Sequence, residues 1–241
     1  MKFLSMFHIA LVIIFATLNG IILYLFVLTL PFGADVFLKS LGLWDKISLD
    51  IGSVRIPASY VAVVCGLIAV AGAVLVQRLP EVWKNRLLYA RKLFPHPASE
   101  AFLTSRKQPF ESHDLQARFP RVKDSGFSRK VQTEVWFETY RRHNAKPVVL
   151  NTRIHWDMLR DLYILSLYFL GFFLIGWIIN MGVPFQIVGI YLFLYGTQTL
   201  FLLFAARRTG FRMVDNVLAV ELGMEEERGK PLGKGKGKRR S

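Results

Sequence analysis

The side chains with the widest chemical repertoire gather in one stretch: His143, His155, Asp157, Arg160 and Asp161, with His113-Asp114 upstream. A histidine beside a carboxylate can move a proton, and an arginine can hold an anion. On a helix, however, residues two apart face different ways, so His155 and Asp157 do not converge. Neither the paired-histidine spacing of a zinc helix nor the strand-turn-helix serine motif of a hydrolase occurs. The sequence therefore predicts no catalytic residue, no metal and no cofactor. It reads Arg153, His155, Asp157, Arg160 and Asp161 as the polar collar of a membrane span entering water, paired with a basic helix over 80–94. A membrane-interface enzyme using His143, His155 and Asp157 is the third functional reading.

A second set of chemically able residues is uncharged and intramembrane. Asn19 and Gln198 fall inside long apolar runs, where an unpaired amide costs several kcal/mol. They either hydrogen-bond between helices or line an uncharged pore in an oligomer. A third set, Trp136, Tyr140, Arg141 and Arg142, joins aromatic faces to cations near His155 and Arg160. These six are the candidates for binding a partner or an anionic ligand, nucleic acid being the less favoured one.

The elements that must position these groups follow from hydropathy. The chain has 241 residues, is 53% hydrophobic and carries a net charge of +14, with mean hydropathy +0.35. Four runs near 7–30, 58–76, 162–179 and 185–206 are each close to the ~20 apolar residues that cross a bilayer. None holds Asp, Glu, Lys or Arg. The expected fold is all-α and polytopic: a first span in 1–30, an external loop over 31–57, a second span over 58–77, a basic helical domain over 78–161, spans over 162–180 and 185–206, and a basic tail over 207–241, disordered from about 229.

Of 31 Lys and Arg, 17 lie in 78–161 and 10 from 207 onward. That asymmetry places both segments, and both termini, in the cytoplasm of a cell whose inner membrane holds the spans. The first run is longer than a signal-peptide core and lacks a clear cleavage site after Leu30, so it reads as an uncleaved anchor. Anionic inner-leaflet lipids are then the default neighbours of the basic surface. Cys65, the single cysteine, lies within the second span.

Local patterns refine this plan. In the outer loop, Val36 to Trp44 suits an interfacial helix, and the alternation over 47–56 suits a small β-hairpin. The basic helix is expected over Val82–Phe94 as an amphipathic helix near the inner leaflet, with Trp83, Leu87, Ala90, Leu93 and Phe94 sharing one face and Lys84, Arg86, Arg91 and Lys92 on the others, ending at Pro95-His96-Pro97. Residues 98–125 read as a long irregular connection. Asp124 or Ser125 caps a helix over Phe127–His143, and a helix from about Asn151 runs into the third span, with Arg153 pairing Asp157. The fourth span continues through Phe211–Leu222. Small residues Ala62, Gly66, Ala69 and Ala73 draw a smooth stripe on the second span, and Ala16 and Gly20 match it on the first.

Four spans, a basic middle domain over 78–161, no intramembrane charge and no enzyme motif together resemble small four-helix membrane proteins of bacterial anti-phage defence systems. The resemblance implies an oligomeric inner-membrane effector that permeabilises the membrane on a cytoplasmic signal. The alternative from the residues alone is a non-transporting anchor that recruits a soluble cytoplasmic protein. A homo-oligomer is expected.

Overall fold

A computed structural model describes residues 2–32, 48–51, 54–103, 112–179 and 185–223. The chain is an all-α polytopic membrane protein, and four of its helices are long and apolar enough to span: α1 (Lys2–Phe32), α2 (Ala58–Arg78), α7 (Pro147–Ile179) and α8 (Phe185–Glu221). Helix α8 has 37 residues, about 55 Å at 1.5 Å per residue, well beyond a ~30 Å hydrocarbon core. Its apolar run ends at Ala206, and Arg207-Arg208 open the polar part.

Between α1 and α2, β1 (Ser48–Ile51) pairs antiparallel with β2 (Val54–Pro57), Ser48 opposite Pro57. The turn a hairpin requires falls on 52 and 53, outside the described residues. So do the interfacial helix expected around Trp44, the link over 180–184 and the tail from 224 onward.

The chain divides into two compact units. The first holds 1–90 and 156–207. Within it α1 lies along α2 because their small residues meet: a Cβ built on Gly20 would stand 2.9 Å from the Ala69 Cβ. Ala16 and Ala69 are buried there, whereas Gly66 is exposed and Ala62 and Ala73 are half-buried beside a groove of about 560 Å³. The stripe thus serves one contact within the chain and leaves an open flank. Phe26 packs edge-on against Phe173 and Tyr191, with centroids 4.7 and 5.0 Å apart, tying α1 to α7 and α8. The Tyr168 hydroxyl donates to the Ile68 carbonyl at 3.1 Å, tying α7 to α2. Outward-facing Val63, Leu67, Val70, Phe193, Phe201 and Phe204 present the apolar surface that lipid requires.

The basic helix departs from expectation in length. Helix α3 spans Glu81–Tyr89 and ends at Ala90 in a left-handed conformation, φ 52°, five residues before the first proline. The Leu88 carbonyl exposed by that early end accepts from Arg207 Nε at 2.7 Å. Helix α3 buries Lys84, Asn85, Leu88 and Tyr89, while Trp83 and Leu87 are exposed. This division has a physical cause: the buried polar groups have partners within this unit, and the apolar ones suit the membrane interface.

The second unit holds 91–155 and 208–241. The stretch read as irregular folds instead into a 3₁₀ turn at Pro97–Glu100 and helices α4 (Ser112–Arg118) and α5 (Pro120–Asp124). Pro120 sits in the first turn of α5, where its missing N–H costs nothing. Ala98, Ala101, Phe102, Leu115, Phe119 and Val122 are buried. Helix α6 (Arg129–His143) begins at Ser128, which makes no side-chain cap, so the cap expected from Asp124 or Ser125 is not used. Buried Gln132 binds the preceding segment instead, accepting from Phe102 N–H at 3.1 Å and donating to the Phe127 carbonyl at 2.6 Å. Pro147 both ends the preceding stretch and opens α7, four residues earlier than expected.

Candidate functional site

The dense polar stretch resolves into two separate clusters. In the membrane unit, Lys84 Nζ lies 2.8 Å from Asp161 Oδ1, with side-chain exposures of 6% and 4%. Arg160, 1% exposed, reaches Glu81 at 2.6 Å and Asp157 at 3.1 Å, and donates to the Asn85 Oδ1 at 3.1 Å. Its guanidinium lies over Trp156, 4.7 Å from the ring centroid. His8 Nε2 stands 3.4 Å from the other Asp161 oxygen. Two cations and three carboxylates therefore knit α3 and α7 together, with His8 of α1 beside Asp161, and Arg160 and Lys84 answer the like charges of Asp157 and Asp161 one turn apart on α7.

This network corrects the reading of Arg160 as a ligand-binding residue, because its donors are turned inward to carboxylates. It offers no activated nucleophile, and each acid is held by a cation. Among the described residues, no three His, Cys, Asp or Glu are placed to hold a metal. Glu81, Lys84 and Asn85 belong to the basic helix with which the collar was expected to pair, whereas His8 was missing from the sequence reading because it lies far from Asp161 along the chain.

The intramembrane amides meet within one chain. Gln198 Nε2 donates to Asn19 Oδ1 at 3.0 Å, and Asn19 Nδ2 donates to the Phe15 carbonyl at 3.0 Å. The Tyr195 hydroxyl donates to the Asn19 carbonyl at 3.1 Å. Asn19 is 1% exposed, so its amide faces protein.

The second unit holds the remaining candidates. Trp136 is 1% exposed and donates through Nε1 to the Val214 carbonyl at 3.3 Å. It is core, which removes it as a stacking platform for a base. Tyr140 stacks on Trp136, with 12° between the ring planes, and its hydroxyl accepts from Arg153 at 2.6 Å. Arg153 therefore turns to Tyr140, where the sequence suggested Asp157. His155 is exposed, its Nδ1 2.9 Å from the Asn151 carbonyl, and Arg141 is exposed.

Glu221 gathers the cations that sequence spacing could not connect. Its carboxylate accepts from Arg118 at 2.8 Å and Arg142 at 3.2 Å and lies 2.7 Å from His143 Nε2. The side chain is 5% exposed. Burial pushes its carboxyl up, but the hydrogen bonds from His143 and Arg118 and the charges of Arg142 and Arg118 outweigh it and hold the group below the usual glutamate range.

What these clusters do within each unit is fix helices, and the surface left over is basic. Lys92, Lys123, Lys130, Arg141, Arg208 and Arg212 make no ion pair among the described residues. No protein-family model matches the chain, and neither a curated protein nor a solved structure matches it.

Proposed function

We propose that this chain is a non-transporting anchor and adaptor of the bacterial inner membrane, with both termini and the basic helical unit in the cytoplasm, where that unit recruits a soluble acidic protein. The observation carrying this reading is the Asn19–Gln198 hydrogen bond, which closes the two mid-span amides on each other. The four apolar runs hold no Asp, Glu, Lys or Arg, the groups that an ion or proton pathway through a membrane ordinarily uses. The unpaired cations supply attraction to anionic lipid and to an acidic partner, about 1 kcal/mol per Lys or Arg near the membrane.

A second reading keeps the oligomeric, membrane-permeabilising effector of anti-phage defence. It is favoured by the open groove along Ala62, Gly66 and Ala73, which would let helices of a homo-oligomer approach closely. Purified protein in anionic vesicles loaded with a small dye separates the two. The adaptor leaves vesicles tight, alone and after chemical cross-linking into oligomers. Leakage in either condition would replace the adaptor by the effector.

A further inference from the structure

Three helix C-termini converge on one carboxylate in the second unit. Arg118 ends α4, Arg142 and His143 lie in the last turn of α6, and Glu221 is the last residue of α8. Cations suit these positions, because a helix C-terminus carries partial negative charge, but a glutamate does not. Glu221 is therefore held by its cations against its own helix dipole.

The arrangement also carries excess charge. Two guanidiniums face one carboxylate, with His143 beside them. Arg118 and Arg142 each expose 56% of their side chains while Glu221 exposes 5%. The arginines thus cover the carboxylate while more than half of each side chain stays exposed, Arg142 also donating to the Thr139 hydroxyl at 3.4 Å. Arg121 is not part of the cluster, since Glu134 and Glu138 occupy it at 3.2 Å each.

We propose that Arg118, Arg142 and His143 form a binding site for a phosphate group, in which the Glu221 carboxylate is a resident anion that the phosphate displaces. A phosphate carries more charge and more acceptor oxygens than a carboxylate, and paired arginines match its geometry. Displacement frees the last turn of α8. The phosphate can be a free ion or the headgroup of an anionic lipid, and the site rests on the second unit alone, whatever that unit recruits.

The full chain in phosphatidylcholine nanodiscs, titrated calorimetrically with inorganic phosphate and with soluble dihexanoyl phosphatidic acid, tests this. Glu221→Gln removes the resident anion and should tighten binding about tenfold. Adding Arg118→Gln and Arg142→Gln should abolish it. Tightening for phosphate alone assigns a free phosphate, and tightening for the phosphatidic acid alone assigns a headgroup. Unchanged affinity for both probes in a folded Glu221→Gln protein overturns the site. Should that variant fail to fold, Arg118→Gln in the otherwise native chain must weaken binding several-fold, and undiminished binding overturns it equally.

Discussion

Gln198 on α8 donates to Asn19 on α1 across 3.0 Å in the middle of the apolar bundle. Replacing either by Leu leaves the other amide without this partner, and each single substitution should lower stability by ~1–2 kcal/mol. The double replacement should recover part of that loss. Thermal unfolding in detergent of the four proteins gives the coupling; additive effects would mean the bond contributes nothing.

Lys84 and Asp161 are both nearly inaccessible. Lys84→Met strands a buried carboxylate and should cost ~3 kcal/mol or more, whereas Lys84→Met with Asp161→Leu should regain most of it. Denaturant midpoints of the solubilised protein check this. A single variant as stable as the parent would show that His8 and Arg160 suffice for Asp161.

Gly20 has no room for a methyl group. In Gly20→Ala the new Cβ falls 2.9 Å from Ala69 Cβ, a backbone-fixed atom, so α1 and α2 must separate at ~1–3 kcal/mol, against ~1 kcal/mol of gained helix propensity. A net loss is expected, restored by adding Ala69→Gly. If Gly20→Ala unfolds no earlier than the parent, the close approach is not needed.

Glu221 links the second unit to pH. Its folded carboxyl lies below the usual glutamate range because His143, Arg118 and Arg142 outweigh burial. Its contribution is therefore complete above the ordinary glutamate range and disappears as pH falls through the lower folded value. Near-UV circular dichroism against pH should show an acid transition that Glu221→Gln shifts or flattens. An identical profile would exclude Glu221 as its source.

The proposed orientation, with the basic segments in the cytoplasm, can be read with single cysteines. In a Cys65→Ala background, cysteines at Lys123 and Arg212 should be blocked only after permeabilisation, and one at Ser53 should react from outside. The opposite pattern would invert the assigned topology.

Hydropathy alone determined the four spans, because ~20 apolar residues without a charge have one low-energy home and local composition suffices to find it. The passage of α8 beyond its apolar run was legible too, from the amphipathic strip of Met213, Val214, Val217, Leu218 and Val220. Partners that lie far apart along the chain were not. Asn19 could be seen to need an acceptor or donor, but only packing selected Gln198, 179 residues away. The collar was expected to pair with the helix that is α3, but only packing singled out Lys84 for Asp161 and made its burial tolerable. Glu221 gave no local sign of its three cations, which reach it from the ends of two other helices. The sequence set which segments enter the membrane; folding decided which polar groups answer one another, because burial penalises each charge until a distant one arrives.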